Sequence, residues 1–217
     1  MRIPVRKVPK NHLFVTGRHA TELSSEMVEF ESPLEKEYML LLDFDPRVAG
    51  YEAQPVRIQL PTGRSYVPDV LVRFHPGSGG IEPARELVEV KTSGDLDRNA
   101  AEYTIKFAAA ELYAQEMGWK FCIKTERDIR TPRLANIKFL RRYRQDIPLP
   151  EDSDRVLEQL RRCTGQGSSE DVIAAIVATH DERARWLPVI WHLVATRQIQ
   201  TDLDNAFGHD VPLWLEA

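Results

Sequence analysis

Tyr66-Val-Pro-Asp-Val-Leu-Val72 and Leu87-Val-Glu-Val-Lys91 are two apolar runs with charged residues at one end, and Asp69 precedes Glu89 by twenty positions. Strands are read at Val70–Phe74, just after Asp69, and at Glu86–Lys91. Side chains alternate along a strand, so Glu89 and Lys91 share one side while Val90 turns toward the core. Pairing of the runs through a turn at residues 75–83 brings Asp69 beside Glu89, and two carboxylates and an ammonium converge. Adjacent carboxylates repel unless a cation lies between them, which points to a hard, oxygen-liganded ion such as Mg²⁺ or Mn²⁺. Such an ion polarises a phosphoryl oxygen and activates water, while Lys91 positions that water and stabilises phosphate charge. The alternative is an exposed strand with a Glu–Lys pair. Apolar neighbours, hairpin spacing and surrounding helices favour the site.

Upstream, Ser32-Pro-Leu-Glu35 opens a helix that runs to about Asp43. Ser32 suits the N-cap, Pro33 the first turn, and Glu35 the third position of a capping box. Glu35 therefore has two readings, a capping residue or a further metal ligand. Val56–Leu60, Val70–Phe74 and Glu86–Lys91 read as a three-stranded meander. A helix over 98–117 places Ala101, Ile105, Ala108 and Leu112 on one apolar face, and Gly118 ends it. Trp119–Lys124 reads as a fourth strand and Pro132–Arg144 as a third helix, which makes an α/β fold, a mixed sheet flanked by helices.

The prolines and acids of Asp146–Asp154 read as a linker, giving domains 1–148 and 149–217. In the second, Ser168 or Ser169 caps a helix with Val172, Ile173, Ile176 and Val177 on one face. A further helix carries Leu187, Ile190, Trp191 and Val194. Extended segments at 198–202 and 211–215 follow, around Gly208, and these are the parts of a winged helix-turn-helix.

The chain has 217 residues, 42% hydrophobic and 29% charged, a balance that excludes a disordered chain. It has no apolar run of membrane-spanning length, and its first residues lack a signal-peptide core, so a cytoplasmic protein is expected. Cys122 and Cys163 are the two cysteines, too few for a disulfide scaffold or a cysteine zinc site. The net charge of −4 is uneven, with 23 basic against 21 acidic residues in 1–150 and 6 against 12 in 151–217. Lys120, Lys124, Arg127, Arg130, Arg133, Lys138, Arg141, Arg142 and Arg144 face only Glu126 and Asp128 within 120–144. That stretch is either a solvated helix face or a contact for the DNA backbone. The acidic remainder suits a protein partner better than DNA. His12, His19, His75, His180, His192 and His209 lack metal-ligand spacing, and Gly77, Gly79 and Gly80 read as a hairpin turn. Asp43 and Asp45 read as a helix-terminal turn.

Phe30-Glu-Ser-Pro-Leu-Glu35, Leu40-Leu-Leu-Asp-Phe-Asp-Pro46, Tyr51-Glu-Ala-Gln-Pro-Val56 and the two opening runs together resemble the TnsA family, the endonuclease subunit of heteromeric cut-and-paste transposons. Thr125-Glu-Arg-Asp-Ile129 and, more loosely, Trp191–Ile199 extend the likeness. The resemblance implies a restriction-endonuclease-like nuclease core that cleaves the 5′, non-transferred strands at transposon ends. By position it assigns Glu35, Asp69 and Glu89 as metal ligands, Lys91 as the catalytic lysine, and Gln54 as a supporting residue. It also implies a partner transposase, TnsB, and an ATP-dependent regulator, TnsC. A stand-alone restriction or phage-defence nuclease, or a non-catalytic binding module of the same fold, are the alternatives.

Overall fold

Val70, Leu71 and Val72 are all buried, as are Leu87, Val88, Glu89 and Val90, so both strands of the central hairpin are covered on two faces. The computed structural model describes residues 16–21, 23–24, 27–76, 84–177 and 182–216. The expected glycine turn at Gly77, Gly79 and Gly80 lies outside the described residues, as do His12 and His180. The chain divides into two compact units, 1–130 and 131–217.

The first unit begins with a hairpin of β1 (Gly17–His19) and β2 (Val28–Phe30), then α1 (Pro33–Asp43). There follow β3 (Val48–Ala53), the short β4 (Ile58–Gln59) and β5 (Ser65–Tyr66), then β6 (Val70–Phe74) and β7 (Arg85–Val90). α2 (Ser93–Arg98) and α3 (Ala100–Glu116) cross over to β8 (Lys120–Lys124), and α4 (Glu126–Ile129) closes the unit. The central sheet has the order β3-β6-β7-β8. Its first two pairings are antiparallel and the last is parallel, which requires the helical crossover between β7 and β8. This is the mixed, helix-flanked sheet of a restriction-endonuclease-like fold.

Two sequence expectations change. The first strand of the meander is β3, not Val56–Leu60; Ile58–Gln59 pairs instead with Ser65–Tyr66 in a separate hairpin. Gln54, at a left-handed φ of 49°, and then Pro55 turn the chain out of the sheet after β3. A register irregularity between Val48 and Gly50 hides the strand's period. On α3, Ala101, Ile105, Ala108 and Leu112 are exposed, whereas Tyr103, Ala110 and Ala114 are buried. This alanine-rich helix offers two stripes of helical period, and the one holding the stacked rings of Tyr103 and Phe107 packs inward because aromatic rings remove the most apolar surface from water.

The second unit starts with α5 (Pro132–Leu140), continued by a 3₁₀ turn at Arg141–Arg144. α6 (Pro150–Arg162), β9 (Gln166–Ser168), α7 (Ser169–Ile176), α8 (Arg183–Ala195), β10 (Gln200–Thr201) and β11 (Pro212–Trp214) follow. Its sheet has the order β10-β11-β9, antiparallel throughout. The Ser168 hydroxyl caps α7 by accepting from the Asp171 amide. Phe139 of α5 meets Trp191 of α8 edge to face at 5.5 Å, and His192 Nδ1 lies 2.8 Å from the Tyr143 carbonyl. These contacts draw 131–148 into the second unit, so the division falls at Arg130/Thr131 rather than at 148/149. The expected linker is the start of α6, where Pro150 stands in the first turn and its missing N–H leaves nothing unpaired. With this division the units hold 18 basic against 20 acidic and 11 against 13 residues, and the charge asymmetry disappears. Among the described residues no helix is long and apolar enough to cross a membrane.

The orientation of α3 is testable by urea denaturation. Leu87→Ala, in the core, should lose about 2–5 kcal/mol. Leu112→Ala, on the exposed stripe, should stay within about 0.5 kcal/mol of wild type.

Candidate active site

The register that sets Val70 opposite Val88 and Leu71 opposite Leu87 brings Asp69, just before β6, to the Glu89–Lys91 end of β7. By alternation, Asp69 and Leu71 share a face with Leu87 and Glu89. The expected convergence is present. Asp69 Oδ2 accepts from the Val90 amide at 2.7 Å and from Lys91 Nζ at 3.0 Å. Lys91 Nζ also stands 3.0 Å from Glu89 Oε1 and donates to the Val90 carbonyl at 3.2 Å. The Lys91 amide donates to the Lys124 carbonyl at 3.1 Å, which carries the β7–β8 ladder one residue past β7 and fixes the backbone under the lysine.

Sequence reasoning missed Tyr66, whose hydroxyl donates to Glu89 Oε2 at 2.6 Å. An aromatic residue in an apolar run reads as core, and only the hairpin's seat on α3 shows that its polar end reaches the site. Ile58, Leu60, Tyr66, Leu71, Leu87, Ala110 and Ala114 form one buried cluster there.

Glu35 lies at the third position of α1, where its amide donates to Ser32 Oγ at 3.2 Å. Its carboxylate accepts from the Glu31 amide at 2.8 Å, one residue earlier than a capping box requires. Glu31 in turn accepts from Gln54 Nε2 at 2.8 Å, and the Gln54 amide donates to the Asp69 carbonyl at 2.8 Å. Gln54 thus ties the turn before α1 to the backbone of Asp69, and its Oε1 is buried with no hydrogen-bond partner among the described residues.

The electrostatics follow from three acids around one base. Burial, and then the neighbouring Asp69 charge, push the Glu89 carboxyl up to about 7 against the opposing pull of Lys91 and Tyr66. The same two causes push Glu35 up to about 7, opposed by the Glu31 amide, Ser32 and Lys91. Burial disfavours the Lys91 ammonium, but Asp69 and Glu89 outweigh it and hold the lysine charged well above its ordinary range. Burial and the Glu89 charge likewise raise the Tyr66 phenol, which stays a donor.

Among the described residues no three His, Cys, Asp or Glu side chains form a group that could hold a metal ion. The Lys91 ammonium sits between the Asp69 and Glu89 carboxylates. The donor set nevertheless fits a hard divalent cation, because every candidate ligand is a carboxylate oxygen and the acids outnumber the base.

The nine basic residues of 120–144 fall in both units. Lys120, Lys124, Arg127 and Arg130 belong to the first, where Lys120 lies 3.9 Å from Glu86 and Arg130 pairs with Glu37 at 2.7 Å. Arg133, Lys138, Arg141, Arg142 and Arg144 belong to the second. There Arg133 pairs with Asp204 at 2.8 Å, and the Arg142 guanidinium covers the Phe139 ring at 4.5 Å. Asp43 is structural, as it takes hydrogen bonds from Thr21 and Tyr51 and lies 2.6 Å from the buried His19. Asp45 accepts the Arg47 side chain. Cys122 and Cys163 are both free.

The family model described as TnsA-like endonuclease N terminal matches residues 45–126, and that described as TnsA endonuclease C terminal matches 128–203. Asp69, Glu89 and Lys91 fall inside the first match, Glu35 before it, and the junction lies close to the division at 130/131. Comparison with individual curated proteins finds no match.

The buried acids make stability depend on pH. Glu35 and Glu89 rise from 4.5 in the unfolded chain to about 7 in the fold, so the folded state holds protons that the unfolded state releases. The linked stability is full below about 4.5 and is lost as pH rises through about 7. In buffer with chelator, thermal melts from pH 5 to 8 should fall more steeply for wild type than for Glu89→Gln.

Proposed function

The chain belongs to the TnsA family, and on that basis we propose that it is the endonuclease subunit of a heteromeric transposase, cleaving the 5′, non-transferred strands at transposon ends during cut-and-paste transposition. The observation that carries this reading is the meeting of Asp69, Glu89 and Lys91 at the end of two paired strands. Asp69 and Glu89, with Glu35, would hold Mg²⁺, for which Mn²⁺ can substitute. When bound, the ion supplies charge neutralisation at the scissile phosphate and activates a water. The chain's own groups do the rest. The Val90 amide and Lys91 fix Asp69 Oδ2, and Tyr66 fixes Glu89 Oε2. Lys91, kept charged by both carboxylates, orients the attacking water and donates to the phosphoryl oxygen as negative charge builds there. Glu35, whose carboxylate takes the Glu31 amide rather than the N-cap amide of a capping box, remains within the field of Asp69.

Backbone contacts fall to the basic residues of each unit, Lys120, Lys124, Arg127 and Arg130 in the first and Arg133, Lys138, Arg141, Arg142 and Arg144 in the second, because phosphate contacts supply most sequence-independent affinity. In the second unit, α6, β9, α7, α8, β10 and β11 run helix, strand, helix, helix, strand, strand, an order that supports reading this part as winged-helix-like. We assign protein docking to the second unit, and the partners would be the transposase TnsB and the regulator TnsC. The protein would act in the cytoplasm.

A cleavage assay on DNA bearing element ends, with Mg²⁺ and with or without the partner transposase, tests this. Asp69→Ala and Lys91→Ala should each lose about a thousandfold or more in strand cleavage while retaining DNA binding. Equal products from wild type and Asp69→Ala would sink the nuclease reading. Full cleavage without the transposase would point to a stand-alone nuclease.

A further inference from the structure

Glu89 is 2% exposed, and among the described residues its Oε2 meets the Tyr66 hydroxyl and its Oε1 the Lys91 ammonium. Tyr66 does not come from the central sheet. It stands on β5, whose hairpin with β4 packs on α3, and its ring is buried among Ile58, Leu60, Leu71, Leu87 and Ala110. The Lys106 ammonium lies 5.9 Å from the ring centroid. The hydroxyl is therefore held by packing that owes nothing to Glu89, and it reaches one carboxylate oxygen at 2.6 Å.

We propose that Tyr66 is a positioning residue of the active centre, locking the Glu89 carboxylate so that Oε1 is the oxygen offered to Lys91 and to a bound divalent cation. The inference rests on the reading of Glu89 as a ligand. A carboxylate free to turn about its last torsion offers either oxygen and must be ordered each time an ion enters; one already held by a rigid donor need not be. Groups that orient a ligand in this way typically change metal affinity or activity by about 10–100-fold when removed.

The test compares the full-length wild type with Tyr66→Phe, which keeps the ring and removes only the hydroxyl, with circular dichroism to show that both are folded. Mn²⁺ binding is measured by calorimetry, and cleavage of element-end DNA is followed against Mg²⁺ concentration with the partner transposase present. Tyr66→Phe should bind Mn²⁺ about tenfold more weakly and need a correspondingly higher Mg²⁺ concentration for half-maximal cleavage. Tyr103→Phe, which removes the neighbouring phenol bonded to Asp95 at 2.6 Å, should leave Mn²⁺ affinity unchanged. Wild-type Mn²⁺ affinity in Tyr66→Phe would overturn the inference and reduce Tyr66 to a core residue, with the nuclease reading intact. A wild type that neither binds Mn²⁺ nor cleaves would overturn both.

Discussion

Antiparallel pairing of β6 with β7, Val70 against Val88, is the constraint from which the rest of the first unit follows. A slip of one residue would send Asp69 and Glu89 to opposite faces and bury a different set of side chains, because strand side chains alternate. The valines at 70, 72, 88 and 90 are all nearly inaccessible to water, and that burial makes a slip costly. The same register exposes the end of β7 to Asp69, whose carboxylate takes the Val90 amide that would otherwise lack a partner at the strand end. The acid is thus part of the fold's hydrogen bonding before it does any chemistry.

The site is unbalanced by construction. Glu35, Asp69 and Glu89 share the field of one ammonium, and the resulting pressure shows in the raised carboxyls of Glu35 and Glu89. A protein selected for stability alone would replace such a cluster with apolar residues, since removing charges from water costs more than a single pairing returns. Such a cluster at the end of two strands suits the cation-binding, phosphate-directed centre proposed above. Tyr66 and Gln54 show that the loop between β3 and β6 serves this centre at two points. One contact reaches Glu89, and the other joins Glu31 to the backbone of Asp69.

The second unit illustrates how charge depends on where a chain is divided. Cut at a proline-rich segment, the sequence reads as a near-neutral part with a basic stretch at 120–144, joined to an acidic part. Cut where the packing divides, the halves carry equal net charge, and the basic residues of 120–144 are distributed over both units. Prolines at 148 and 150 suggested a linker because proline lacks an N–H and breaks a helix interior; in the first turn no intrahelical bond is lost, and Pro150 opens α6.

The sequence by itself determined the meeting of Asp69, Glu89 and Lys91 and the identity of the sheet's inner strands, because both depend on local features: apolar runs within 70–74 and 85–90, a fixed alternation of faces, and acids at their ends. Ser32 and Ser168 were legible as caps for the same reason, each meeting an amide three residues on. Only the tertiary structure decided which strand joins β6 on its outer side, which stripe of α3 faces inward, where the chain divides, and that Tyr66 touches Glu89. Each of these turns on competition between patterns that are locally equivalent. Ala101, Ile105, Ala108 and Leu112 make as good a helical stripe as Tyr103, Phe107, Ala110 and Ala114, and only the area buried against the β4–β5 hairpin and the sheet separates them. A polar contact across 23 residues leaves no mark on either segment alone.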